Sequence, residues 1–155
     1  MGRGQSGATW CAPPSSADDA RLDRESRIAL LADHARRPRH KGVLEGADVA
    51  VPRGSPECGG SVVVYLKGGD DGRIGGLSFT GAGDIISMGA TSIIMQKVHD
   101  EGLTMDEVLD LDYEAFVEEL GRDVVGSRTR NATLGLSTLK SAIRRYQKNG
   151  LPGAR

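Results

Sequence analysis

The rhythm of apolar residues changes once along this chain, and that change constrains the fold more than any single motif. Before residue 80 the pattern belongs to strands. "SVVVYLK" (61–67) crowds β-branched residues, "ADVAV" (47–51) alternates, and "RIGGLSF" (73–79) follows across "GGDDG". The Asp71-Gly72 pair between the last two runs suits the left-handed positions of a hairpin turn. From Asp84 onward the period is that of helices. "DIISMGATSIIMQKVHDEG" opens on a capping aspartate and closes at Gly102, and "TMDE" (104–107) reads as a capping box. Asp112 starts "YEAFVEEL", which Gly121 stops. Ala132, Leu136, Leu139, Ile143 and Tyr146 then keep a 4-3-4-3 spacing until Gly150 and Pro152 end the last helix. One helix precedes the strands: "DDARLDRESRIALLADHARR" sets Leu22, Ile28, Leu30 and Leu31 at roughly helical spacing, and Pro38 ends it near Arg36. Strands followed by helices predict an α+β fold: an N-terminal helix, a three-stranded antiparallel sheet, and a helical half packed on one sheet face.

With 155 residues there is room for one domain with a modest core. Residues 1–16 are Gly, Ser, Ala and Pro with little to bury, so a disordered tail is expected there, a single domain over 17–149, and a short tail over 150–155. A formal charge of −1 gives no global field toward nucleic acid or membrane. Locally, Asp100–Asp123 is acidic, whereas Arg128–Lys148 is basic without a single acid. The apolar runs are too short to span a bilayer, and the N-terminal stretch lacks the apolar core of a signal peptide. Two cysteines, Cys11 and Cys58, make no disulfide framework, which points to a reducing, cytoplasmic setting.

"GAGDII" (81–86) imitates a dinucleotide fingerprint, but its third glycine position is Ile86 and the preceding strands form a hairpin. It reads as a turn followed by a helix cap, with no nucleotide. "NAT" (131–133) lies inside a helix pattern and matches a glycosylation acceptor by accident. "HARRPRHK" (34–41) is basic without aromatics for base stacking, and reads as a solvated loop or docking patch rather than a nucleic-acid site. His34, His40 and His99 show no ligand spacing with Cys58 or with one another. From the residues alone, the chain is a small α+β domain with an unusual thiol loop, "SPECGG".

The order of these segments, from about residue 26 to 148, resembles the U-type iron–sulfur cluster assembly scaffolds: the NifU N-terminal domain, IscU and SufU. "HARRPRHKGVLEGADV" is similar to the family's helix end, loop and first strand, and "PECGG" to its Pro-x-Cys-Gly-Asp loop. "LSFTGAGDIISMGATS" echoes the segment carrying the second cysteine, while "LTMDEVLDL" and "RTRNATLGLSTLKSAI" fit the last helices. The resemblance implies a scaffold or carrier rather than an enzyme. Such a protein uses three cysteines and an aspartate to hold a nascent [2Fe–2S] cluster, or zinc in the SufU branch, and takes sulfur from a cysteine desulfurase.

Carried over by position, Cys58 falls on the first cysteine and Gly60 stands at the aspartate. Asp84 stands at the second cysteine, and Asn131, preceded by Arg130, at the third. The implied ligands are therefore Cys58, Asp84 and Asn131, with Gly60 and Arg130 adjoining. One thiolate, one carboxylate and one amide make an incomplete site for a cluster that favours soft thiolates. A second reading makes Cys58 alone a persulfide acceptor, with Arg130 favouring its thiolate; a third is a non-catalytic regulatory relative. The implied partners are the desulfurase, an apo iron–sulfur acceptor protein and further copies of the chain, with glutathione or a partner as another source of ligands. "GRDVVGSRTRN" replaces the Leu-Pro-Pro-Val-Lys motif through which Hsp70-type chaperones recognise the IscU branch, so that partner is not expected.

Overall fold

The computed structural model describes residues 17–55, 57 and 59–149, with side chains from residue 23 onward. The expected tails, Cys11, Cys58, the side chain of Leu22 and the Gly150–Pro152 helix stop lie outside the described residues. Helix α1 spans Ala17–Arg36; strands β1 (Val49–Ser55), β2 (Gly60–Gly68) and β3 (Ile74–Gly83) follow. Then come α2 (Ile85–Glu101), α3 (Met105–Leu109), α4 (Tyr113–Leu120), α5 (Arg122–Val125) and α6 (Thr129–Lys148). The fold is α+β, as the change of rhythm predicts.

The sheet has the order β1-β2-β3 and is antiparallel throughout. Val49 pairs with Leu66 and Ser55 with Gly60, while Gly60 also faces Gly83 across β2 and β3. That register aligns Ser55, Gly60 and Gly83 at one end of the sheet, where the β1–β2 loop meets the start of α2. The strands run beyond the segments expected from the sequence. β1 continues through Pro52, which an edge strand tolerates because its missing N–H faces away from the ladder. β3 continues through the glycines to Gly83; a Cβ at Gly81 would meet the Ser61 carbonyl. At the β2–β3 connection Asp71 (φ 56°) and Gly72 (φ 78°) take the left-handed conformation expected of that pair, inside a short 3₁₀ turn.

Alternation on β2 turns Val62, Val64 and Leu66 inward, where they join Phe79 of β3 and Val51 of β1. Helices α2 and α6 cover this face: Ile94 and Met95 from the first, Leu136, Leu139, Ile143 and Tyr146 from the second, are all fully buried. Every apolar residue picked out by the 4-3-4-3 spacing is in the core. The α2–α6 crossing is close at Gly135, where a Cβ would meet the Thr91 hydroxyl. The caps at Asp84, Thr104 and Asp112 each accept a hydrogen bond from the first turn of the helix they open, and Thr104–Glu107 completes the capping box.

Three details go beyond the sequence reading. Among the described apolar residues of the α1 pattern, Leu31 is in the core, whereas Ile28 and Leu30 are 39% and 51% exposed. The buried stripe runs through Leu31 and His34 instead, because α1 lies against α2 over Gly89, where any Cβ would strike the Leu31 backbone. Gly121 does end α4, but α5 begins at once beyond it. Finally, His40 and His99, which have no meaningful sequence spacing, stack with ring centroids 3.6 Å apart. His34 is buried and bonded through Nδ1 to the Ser92 hydroxyl at 2.7 Å, and Arg37 and Arg39 of the basic loop both engage Asp33.

Candidate functional site

Three of the positions singled out by the sequence meet at one end of the sheet, around the carboxylate of Asp84. β3 ends at Gly83 and α2 begins at Ile85, so Asp84 is an extended N-cap residue. Its Oδ1 accepts from the Ser87 backbone N–H at 2.7 Å and from the Ser87 hydroxyl at 2.8 Å. Its Oδ2 accepts from Asn131 Nδ2 at 2.8 Å and faces Arg128 Nη1 at 3.3 Å. The Asp84 N–H in turn donates to the Gly59 carbonyl at 2.8 Å. One residue thereby ties the β1–β2 loop, the start of α2 and the start of α6 together.

Electrostatics follow from that crowding. Partial burial pushes the Asp84 carboxyl up, but the two Ser87 bonds, the Asn131 amide and the Arg128 charge together outweigh it and hold the group below its ordinary value. Both oxygens of the carboxylate are engaged twice, so a metal binding there would have to displace the Ser87 hydroxyl, Asn131 or Arg128. Among the described residues no three His, Cys, Asp or Glu side chains stand close enough to hold a metal ion.

The loop glycines explain the local sequence. Gly59 has φ +96°, and a Cβ there would run into the Asn131 amide. Gly60 is buried, and a Cβ on it would come within 2.5 Å of the Ser87 hydroxyl. An aspartate at this position, as in the resembled motif, would therefore have to dislodge Ser87 from the Asp84 carboxylate. Cys58 directly precedes Gly59 in the chain and lies outside the described residues.

Arg130 is exposed and does not touch Asp84; it lines a cleft of about 410 Å³ together with Arg53, Gly60 and Asn131. The cation at the carboxylate is Arg128, which the sequence reading passed over, as it did Ser87. Both left a signal. Arg128 and Asn131 are three apart at a helix start and so share a face, and Ser87 is the N3 residue that a capping aspartate seeks.

Comparison with known proteins agrees with this architecture. The NifU-like N-terminal domain profile matches residues 29–151. The iron-sulfur cluster assembly scaffold protein IscU of Streptococcus pyogenes serotype M1 is 29% identical over 133 residues, covering 76% of this chain and 82% of that protein. IscU 1 of Archaeoglobus fulgidus, also named as an iron-sulfur cluster assembly scaffold, is 30% identical over 119 residues, covering 76% and 75%. Among solved structures, the N-terminal part of a NifU-like protein from Brucella abortus superposes with a TM-score of 0.65 at 20% identity, covering 81% of this chain and 98% of that one. A putative scaffold for the SUF system from Fervidobacterium islandicum gives 0.57 at 19% identity, covering 73% and 93%; both structures speak to the fold. Because the profile match spans most of the chain, the chain belongs to the NifU-like N-terminal domain family.

Proposed function

We propose that this chain acts in iron–sulfur cluster assembly as a scaffold- or carrier-like protein whose family thiol is Cys58 alone, supplied with sulfur by a cysteine desulfurase. The cluster is its cargo, not a resident cofactor. Membership of the family and relatives named as assembly scaffolds support the general role. The observation that shapes the particular reading is the Asp84–Asn131 hydrogen bond of 2.8 Å: the residues at two family cysteine positions are engaged with each other. Neither offers a thiolate, so one subunit presents an incomplete donor set for a cluster, and further donors must come from a second copy or a partner.

The same observation favours a second reading, in which Cys58 receives a persulfide without building a cluster. The Cys58 thiol loses its proton to solvent and attacks the terminal sulfur of the desulfurase persulfide. A sulfur–sulfur bond forms at Cys58 as the donor's own breaks, and the donor cysteine leaves as thiolate. Arg130 lines the same cleft as Gly60, and a cation held close to a cysteine favours its thiolate form.

Anaerobic incubation with iron, cysteine and a desulfurase separates the two. A chromophore with iron and sulfide in near-equal amounts is expected of the scaffold. Colourless protein heavier by one sulfur atom, a mass change absent in Cys58→Ser, identifies the persulfide acceptor. Neither signal, with desulfurase binding retained, overturns both and leaves a regulatory relative.

A further inference from the structure

The cleft beside the candidate site is lined by two arginines and, among the described residues, by no acid. It lies between β1 and α6, closed on a third side by the Tyr113 ring of α4, and has a volume of about 410 Å³, within the range of small-molecule sites. Arg53 enters from the sheet and Arg130 from the helix; none of the described lining residues is Asp or Glu. Arg53 is held in place by Ser141, whose hydroxyl accepts from Nη2 at 2.5 Å, leaving the other guanidinium donors for a ligand. Among the described residues, Arg130 has no ion pair or hydrogen bond from its side chain. A further cation stands behind the wall: the buried Lys140 Nζ lies 4.4 Å from the centre of the Tyr113 ring.

The cleft thus offers two guanidinium forks over a partly apolar floor at Leu134, a combination that recognises carboxylates. Its rim matters as much. Gly60 and Asn131, two of the family ligand positions, are lining residues, so a molecule anchored on the arginines reaches the place where the chain lacks thiolates. We infer that this cleft takes a small carboxylate-bearing thiol of tripeptide size, whose sulfur supplies a soft donor missing from the rim. The inference rests on the reading of Cys58 as the sole family thiol of an iron–sulfur assembly protein.

The test uses the whole chain, titrated with glutathione and followed by amide chemical shifts. Saturable shifts at cleft residues are expected, with affinity falling about tenfold in Arg53→Gln and in Arg130→Gln, as loss of a charge-assisted contact implies. S-methylglutathione is expected to bind equally well, since the carboxylates anchor it. With cobalt(II) added, only glutathione should strengthen the thiolate-to-metal absorption beyond the sum of that from Cys58 and from free glutathione. Three results overturn the inference: no saturable shift, affinity unchanged in both variants, or no extra absorption with glutathione. Inorganic phosphate competing as well as glutathione overturns it too, by reducing the cleft to a general anion site. Sulfur loading of Cys58 by the desulfurase is measured with cysteine as the sulfur source and no glutathione, so failure of the assembly role and failure of the cleft are seen separately.

Discussion

The two ends of the α2–α6 pair are built on different physics. Along the middle, the helices and sheet are joined by apolar side chains with almost no exposed surface, Leu136, Leu139 and Ile143 from α6 and Val62, Val64 and Phe79 from the sheet. At their N-terminal ends the join is polar: one carboxylate, one amide, one hydroxyl and one guanidinium. Burial is non-directional and sums over many contacts, whereas the polar knot depends on Asp84 alone. The core should therefore dominate stability, and the knot should mainly determine which groups this end of the sheet presents.

The sharpest way to break that contrast is to cut each region once. Leu139→Ala should cost about 2–5 kcal/mol, because a fully buried side chain leaves a cavity behind. Asp84→Ala should cost about 1–2 kcal/mol, the scale of losing a helix N-cap. Urea denaturation of both variants checks the order. If Asp84→Ala proved as damaging as Leu139→Ala, the polar knot would be part of the fold's main support.

Replacing the knot by thiols sharpens the comparison from the other side. Asp84→Cys with Asn131→Cys puts thiols at the two positions that the resemblance matches to family cysteines, and removes the 2.8 Å bond between the two residues. The metal-free double variant should lose about 1–2 kcal/mol, again on the scale of the lost cap. Reconstitution should then give a longer-lived chromophore than the unaltered chain gives, because thiolates replace harder donors. Optical spectra after removal of free iron measure this; a chromophore no longer-lived would mean that the geometry of this end, not its donor types, limits cluster retention.

These contrasts also explain what was legible in the sequence. Periodicity reports burial, so the α6 stripe from Ala132 to Tyr146 could be read residue by residue, and so could the caps at Asp84, Thr104 and Asp112. The spacing of Ile28, Leu30 and Leu31 gives the helix but not which of them is buried, because nothing local to α1 shows the width of the surface it meets over Gly89. The site was legible as positions, through the resemblance, but not as contacts. Asp84 bonds to residues 44 and 47 places further along the chain, and no local period encodes which arginine of "RTRN" turns toward it. The His40–His99 stack escaped for the same reason.

Acid offers the mildest perturbation, and it should act on the two regions in different windows. His34, buried in the α1–α2 seam, is held below its ordinary value of 6.5, first by burial and then by the Arg39 charge. A base with a lowered folded-state pKa takes up its proton more readily when unfolded. Its contribution is therefore complete above the unfolded value and is lost as pH falls below about 6.5, at no more than about 1.4 kcal/mol per pH unit. Asp84 is also held below its ordinary value, but as a carboxylate its contribution is complete above about 4 and lost at lower pH. His40 adds to the first window, since burial and the facing His99 lower it against the opposing pull of Asp100. Melting temperature measured from pH 7 to pH 3 should fall in two stages. His34→Gln should flatten the upper stage and spare the lower, while Asp84→Asn should do the reverse. A single fall below pH 4, unchanged in His34→Gln, would show that the seam does not sense protons and that acid acts on carboxylates alone.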